Sequence, residues 1–163
     1  MTTERLYYND SYLSDFAALI VDRSADGRRI CLDRTAFYPA SGGQPHDLGW
    51  IADSAVVEVV EEGERIVHIT QTPVDGPQVE CRIDWARRFD HMQQHSGQHV
   101  LSGVLVELFG TNTVGFHLGA EASAIDVATA SLEPMSEGNV PSGFVRFDAA
   151  ACAIEAADTR LER

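Results

Sequence analysis

The chain has 163 residues, a formal net charge of −13 and twelve basic residues, all of them arginine. Such an acidic protein lacks the broad basic surface that nonspecific nucleic-acid binding requires, so we expect no DNA partner and only a local contact with any RNA. No stretch approaches the roughly 20 apolar residues of a membrane span, and we expect neither a secretory signal nor a membrane partner. Three scattered cysteines form no disulfide framework and indicate a cytoplasmic location.

The first 84 residues have the pattern of short β-strands separated by turns. Apolar-rich runs are joined through Ala25–Gly27 and through Glu61–Glu64, and each connection contains a glycine typical of a hairpin. The predicted strands are Ala17–Asp22, Arg29–Asp33, Ala55–Val60, Arg65–Thr70 and Val79–Trp85. Several short strands of this kind predict a small barrel or sandwich.

The periodicity changes after Trp85, where apolar residues begin to recur at helical spacing. We predict a helix over Arg87–Phe109, with Gly110 as its C-terminal stop. Its apolar stripe consists of Val100, Leu101, Val104, Leu105 and Leu108. At about 100° per residue, the stripe lies away from the arc that holds three histidines of the same segment. We therefore expect a helix that packs through one face and presents histidines on another.

The remaining residues predict two strands, a connector and a final helix. The strands are expected at Thr113–His117 and Ser123–Val127, and a connector rich in Pro, Gly and Ser follows at Glu133–Gly143. The alanine-rich segment Asp148–Arg163 is predicted to be helical. Because it carries no terminating glycine or proline, we expect a helix that is cut off, and hence an incomplete C-terminal domain.

The three histidines of the first helix recur every fourth residue, at His91, His95 and His99. Residues four apart lie one turn above each other on a helix, so two adjacent imidazoles can reach one metal ion. The axial rise across all three is roughly 12 Å, which is too long for a single metal. Spacing alone leaves both adjacent pairs open, and it leaves open that the histidines are structural or solvated. A zinc site also needs further ligands, and no Cys-x-x-x-His pattern follows, since Cys152 has no histidine after it.

A second feature is the glycine-rich segment Ala36–Gly49. Gly42 and Gly43 permit unusual backbone angles and close approach to a ligand, while Pro39 and Pro45 stiffen both sides. The same residues are also compatible with a tight loop between strands. The segment is not a nucleotide-binding P-loop, because no Gly-Lys-Ser/Thr follows the glycines.

These two segments together resemble the alanyl-tRNA editing family, the free-standing relatives of the editing domain of alanyl-tRNA synthetase, which are also related to the editing domain of the threonyl enzyme. The resemblance rests on the order and spacing of Ala36–Gly49 and His95-Ser-Gly-Gln-His99. The segments Arg88–His95 and Phe116–Gly119 fit the same family. The similarity extends from about residue 15 to the end of the chain.

The resemblance implies an α+β fold in two parts. Residues 1–84 would form an N-terminal small β-barrel domain that carries the glycine-rich loop. Residues 85–163 would form an incomplete α+β editing core, in which the histidine-bearing helix packs on an antiparallel sheet. By the same resemblance His95 and His99 are the Zn²⁺ ligands, His91 lies one turn outside, and family members complete the site with a Cys-x-x-x-His element further along.

The resemblance also implies the remaining site residues. His117, Gln98 and Thr113 are the catalytic candidates: His117 would position water or contact the terminal adenosine, and Thr113 would contact a substrate hydroxyl, because an apolar pocket rejects an added hydroxyl poorly. The candidates for substrate binding are Gly42, Gly43, Gln44 and Phe116. On the residues alone, a structural strand histidine at 117 and a surface glutamine at 98 stay open.

Two functions compete at this point. The first is a trans-editing hydrolase that removes serine or glycine from mischarged alanine tRNA at a zinc-dependent site, binding the acceptor end. The second is a non-catalytic, truncated relative that binds tRNA or a protein partner. A metalloprotease is disfavoured, because Ser96 follows His95 where His-Glu-x-x-His has glutamate. The cluster Arg82, Arg87, Arg88 is either an RNA contact or a solvated helix start, and the oligomeric state is left open.

Overall fold

The chain is a mixed α+β protein with many short strands and one long helix. The computed structural model describes residues 2–119 and 123–128, together with the backbone of two strands at 145–148 and 153–156. The elements are β1 Glu4–Arg5, β2 Asp15–Arg23, β3 Arg29–Leu32, β4 Arg34–Thr35, β5 Gly49–Ile51, β6 Ser54–Glu62, β7 Arg65–Thr70, β8 Gln78–Ile83, α1 Trp85–Phe109, β9 Thr113–His117, β10 Ala124–Val127, β11 Val145–Asp148 and β12 Ala153–Ala156. Within this described part, no helix is long and apolar enough to cross a membrane.

Two compact units make up the chain. The first comprises residues 1–41 and 45–89, and the second comprises residues 42–44 and 90–163. The division falls inside α1, so the first turn of the helix belongs to the first unit and the remainder to the second.

In the first unit, strands β2, β3, β7, β6, β5 and β8 pair in that order and close into a barrel. The side chains of β8 alternate between the barrel interior and the solvent. Val79, Cys81 and Ile83 are buried, and the residues between them are exposed. Phe37 is completely buried and packs edge-on against Phe16 and His68 in the interior. Burying a side chain of this size contributes about 1.5–3 kcal/mol. Because most of the buried apolar side chains among the described residues belong to the core of the barrel, the barrel holds most of their apolar stabilisation.

Helix α1 begins and ends at residues suited to those positions. Asp84 precedes the helix, and its Oδ1 accepts a hydrogen bond from the backbone N–H of Arg87 at 3.2 Å, which caps the first turn. Gly110 follows the last turn with φ of +63°, a left-handed conformation that glycine adopts without strain. Its N–H donates to the carbonyl of Val106 at 3.0 Å and closes the helix.

The second unit packs part of α1 against an antiparallel pair of strands. Leu101 and Leu105 on the helix and Ile125 on β10 are buried together, with Phe109 and Val127 packed against them. Strand β9 pairs with β10 in the register His117 to Ala124 and Phe116 to Ile125. This ladder carries several of the predicted site residues.

The structure contradicts one element predicted from the sequence and contains three short strands that the sequence did not predict. The final helix predicted over Asp148–Arg163 is wrong where the structure describes it, because Ala153–Ala156 is a strand paired antiparallel with Val145–Asp148. Alanine is the strongest helix former, but intrinsic propensity is a weak determinant of structure, and pairing with a neighbouring strand overrides it. The sequence reasoning also missed β1, β4 and β5, which are two or three residues long and too short to show any periodicity. The connector predicted at 133–143 lies outside the described residues.

Candidate functional site

His95 and His99 lie one turn apart on the part of α1 that belongs to the second unit, and both are exposed. Their Nε2 atoms are 3.0 Å apart, and the two rings are inclined at 62° with centroids separated by 4.8 Å. Partial burial, followed by the effect of His99, lowers the pKa of His95 below its ordinary value. A lowered pKa favours the neutral imidazole, which is the form that binds metals.

The pair fits a Zn²⁺ ion as two of its ligands. Two nitrogens bound to one tetrahedral zinc at its usual bond length lie about 3.3 Å apart, close to the separation of these two atoms. His91, one turn earlier, is buried with 6% of its surface exposed. Among the described residues no group of three or more His, Cys, Asp and Glu side chains could hold a metal. The described residues therefore place two side chains that could bind a metal ion, and they do not complete a ligand set.

Gln98, between the two histidines, begins a chain of hydrogen-bonded side chains. Its Nε2 donates to Ser102 Oγ at 2.8 Å, and Ser102 Oγ is 2.7 Å from Thr113 Oγ1 on β9. All three residues are half-buried. The structure thus brings together Gln98 and Thr113, two of the three catalytic candidates, through a serine between them.

A β-bulge in β9 turns Thr113 toward the helix. Asp126 pairs with Gly115, but the next residue, Val127, pairs with Thr113, so Val114 is the additional residue. Without the bulge, Thr113 would share a face with His117, since side chains alternate along a strand. With it, Thr113 shares the face of Val127, which packs against the helix.

His117, the third catalytic candidate, has a carboxylate partner that the sequence reasoning missed. Its Nε2 lies 3.2 Å from Asp126 Oδ2, and both side chains are largely exposed. Asp126 pairs across the ladder with Gly115, where a Cβ would lie 2.5 Å from Asp126 Oδ2. The missing side chain at Gly115 therefore gives the carboxylate room to reach His117 diagonally. The bulge separates this pair from Gln98 and Thr113, which lie on the helix side of the ladder.

The glycine-rich loop contacts the same ladder. Gly42 and Gly43 form a turn and belong to the second unit together with Gln44. The carbonyl of Gly43 accepts a hydrogen bond from the N–H of Leu118 at 2.9 Å, and a Cβ on Gly43 would overlap the carbonyl oxygen of Phe116. Gly43 has φ of +83° and Gly42 has φ of +59°, while nothing lies within 4 Å of a Cβ at Gly42. Glycine is thus required at position 43 so that the loop can approach β9 closely, whereas at position 42 it is required only by the backbone conformation of the turn.

Phe116 faces a small, mostly apolar pocket within the second unit. Its walls are formed by Gln94, Gln98, Leu101, Phe116, Ser123, Ala124 and Ile125. Gln94 is buried and satisfied on both ends, since its Nε2 donates to Asp90 Oδ2 at 2.7 Å and its Oε1 accepts a hydrogen bond from Ser123. Gln98 is the residue shared by this pocket and the hydrogen-bonded chain.

In the predicted arginine cluster, which belongs to the first unit, Arg88 is buried and not available for an RNA contact. Arg88 is buried with an ion pair to Asp47, and its guanidinium also donates to the carbonyls of Ala36 and Ser11. Arg87 donates to the carbonyl of His46, and Arg82 lies over the Trp50 ring at 4.7 Å. Arg88 therefore has a structural role, and the suggestion that it contacts RNA is wrong.

Ser102 and Asp126 are the residues that sequence reasoning missed as partners of the candidates. Ser102 had a usable signal, since it follows Gln98 by four residues and shares its helix face. Asp126 had none, because its approach to His117 depends on the register of two strands.

A histidine pair and a chain of hydrogen-bonded side chains on one helix define a candidate functional centre, and comparison with known proteins gives the class of protein to which the chain belongs. No protein-family model matches the chain. Alanyl-tRNA editing protein Aarsd1 of Bos taurus is 40% identical over 134 residues, which cover 72% of this chain. Alanyl-tRNA editing protein AlaX-L of Pyrococcus horikoshii is 40% identical over 134 residues, or 76% of this chain. Alanyl-tRNA editing protein AlaX-M of Methanosarcina acetivorans is 41% identical over 138 residues, also 76% of this chain.

The chain belongs to the alanyl-tRNA editing protein family, as its sequence motifs predicted. The matches span 30%, 33% and 56% of the lengths of these three relatives. It therefore corresponds to part of each of these proteins, and their activity is carried over only as a proposal.

Proposed function

We propose that this chain acts in the cytoplasm as a trans-editing hydrolase that removes serine or glycine from mischarged alanine tRNA. The observation that carries the proposal is the convergence of His95 Nε2 and His99 Nε2 at 3.0 Å beside Gln98, in a chain whose relatives are named editing proteins. The barrel would be the family's N-terminal domain, and α1 with the β9–β10 ladder would belong to the editing core.

The reaction is hydrolysis of the ester between an amino acid and the terminal ribose. The oxygen of water bonds to the carbonyl carbon, and the bond from that carbon to the ribose oxygen breaks. One proton of the water passes to the ribose oxygen, and the amino acid leaves as a carboxylate. The second proton is released to the solvent.

His95 and His99 would hold Zn²⁺, and further ligands would be needed to complete its coordination. When bound, zinc supplies Lewis-acid chemistry and lowers the pKa of a coordinated water toward about 7. Gln98 Oε1 is left to accept a hydrogen bond from a substrate, because its Nε2 is already donated to Ser102. Gly42–Gln44 would contact the acceptor end of the tRNA, and Phe116 would contact the substrate from the pocket wall.

Zinc content and deacylation test the proposal directly. Elemental analysis of the purified chain should find about one zinc, which His95→Ala and His99→Ala should each abolish and the matched variant His91→Ala should largely retain. Release of serine from serylated alanine tRNA should then depend on zinc and on the same two histidines. Equal loss of zinc in all three variants would refute the choice of ligands.

A non-catalytic role is the second candidate function. It is supported by one observation: among the described residues, no third His, Cys, Asp or Glu side chain joins His95 and His99 in a group that could hold a metal. Under this alternative the chain binds alanine tRNA or a protein partner without turnover. Tight tRNA binding with no serine release, in the presence of added zinc, would select it over hydrolysis.

A further inference from the structure

We propose that Ser102 is a positioning residue that aims the hydroxyl hydrogen of Thr113 at the side-chain hydroxyl of an esterified serine. The inference rests on the proposed function and adds to it a residue and a means of recognising seryl over glycyl esters. Neither the sequence motifs nor the histidine pair assigns Ser102 a role.

The first step is the direction of hydrogen bonding along the chain of side chains. A serine hydroxyl has one hydrogen and two lone pairs. Ser102 Oγ accepts from Gln98 Nε2, so its own hydrogen is available for Thr113 Oγ1, 2.7 Å away. Either hydroxyl can donate across this distance, and the proposal takes Ser102 as the donor. Thr113 then accepts at its oxygen, and its own hydrogen is left for a third partner. In this arrangement Ser102 converts Thr113 from a freely rotating hydroxyl into an oriented donor.

The second step is the bulge at Val114. It turns Thr113 to the helix side of the ladder, where Ser102 can reach it, at the cost of leaving Val114 unpaired and 68% exposed. Bulges commonly re-aim a side chain beside a functional site. The contact between Ser102 and Thr113 therefore depends on a local irregularity that an ordinary strand would lack.

The third step places this donor near the proposed metal ligands. Ser102 follows His95 by seven residues, close to two full helical turns, and follows His99 by three, so all three share one side of α1. A seryl ester held near the two imidazoles would bring its hydroxyl toward this side of the helix. A glycyl ester has no hydroxyl, so it gains nothing from an oriented donor.

The test is Ser102→Ala, assayed on two substrates with the full chain and added zinc. We expect kcat/KM for seryl-tRNA to fall by about tenfold, while that for glycyl-tRNA stays unchanged. Alanine is a better helix former than serine, so the variant should fold. Ser96→Ala, an exposed serine on the same helix, is the matched control and should leave both substrates unaffected.

A second variant tests the same contact if Ser102→Ala does not fold normally. Thr113→Val should cause the same selective loss, and the double variant Ser102→Ala/Thr113→Val should lose no more than Thr113→Val alone. Ser102→Thr, which keeps the hydroxyl, should restore most of the activity on seryl-tRNA.

The outcomes separate the two proposals. If the wild-type chain hydrolyses both esters and Ser102→Ala slows both equally or neither, the role of Ser102 is overturned while the hydrolase function stands. If the wild-type chain releases neither amino acid, the hydrolase function fails and the role of Ser102 falls with it.

Discussion

The two units of the chain differ in how far their principal polar side chains are exposed. In the first, polar side chains inside the barrel unit are enclosed and paired: Arg88 with Asp47, and His68 with Thr35. In the second, the apolar cluster is small, and the chemically useful side chains, such as His95 and His99, are exposed or half-buried. The comparison shows that Arg88 and Asp47 in the first unit serve stability, while His95 and His99 in the second unit remain accessible to a ligand.

The largest expected effect tests whether the buried ion pair stabilises the first unit. Arg88→Met should lower the free energy of unfolding by about 3–5 kcal/mol, because it leaves the Asp47 carboxylate buried without its cation. Chemical denaturation measures the change. Arg29→Met removes an exposed ion pair with Glu62 and should change stability little. Similar losses for the two variants would contradict the assignment.

A pH effect should follow from His68, which is fully buried in the barrel. Burial lowers the pKa of His68 to about 4. Between pH 6.5 and 4 the unfolded chain binds a proton that the folded chain does not, so stability falls as the pH falls through this window. The loss is roughly 3 kcal/mol in total, and it levels off below pH 4.

Denaturation at a series of pH values should reveal this slope. His68→Gln should flatten it, whereas His46→Gln leaves His68 in place and should preserve it. An unchanged slope in His68→Gln would show that another group causes the acid sensitivity.

Comparing substitutions at Gly43 and Gly42 separates the effect of a steric clash from the effect of backbone strain in the second unit. Both have positive φ, so alanine costs about 1–2 kcal/mol at either position. Only at Gly43 does the new Cβ meet the backbone of Phe116. Gly43→Ala should therefore lower the free energy of unfolding by at least about 1 kcal/mol more than Gly42→Ala does. Thermal unfolding and faster hydrogen exchange at the Leu118 amide should both report it. Equal effects would mean that the loop can move away from β9.

The smallest expected effect concerns the exposed pair of His117 and Asp126. Gly115→Ala places a Cβ 2.5 Å from Asp126 Oδ2 and should displace the carboxylate, with stability changed by less than about 0.5 kcal/mol. Nitrogen NMR of the His117 ring should then show a changed tautomer. Gly103→Ala, where nothing lies within 4 Å of the new Cβ, should leave the His117 spectrum unaltered.

Features held within one element could be predicted from the sequence. The bounds of β7 and β9 match the predicted Arg65–Thr70 and Thr113–His117, and α1 begins two residues before the predicted Arg87. Alternation and helical spacing depend on neighbouring residues alone, so they leave a periodic signal. The short strands and the strand at Ala153–Ala156 had no such signal, because pairing with a distant partner decided them.

The sequence by itself determined that His95 and His99 share a helix face, because four residues make about one turn whatever surrounds the helix. It also determined the family, through the order and spacing of two motifs. Only the tertiary structure decided that Ser102 meets Thr113, that Asp126 meets His117 and that Gly43 rests on β9. Each of these contacts joins residues from different elements, and one bulge at Val114 is enough to change which side chains meet.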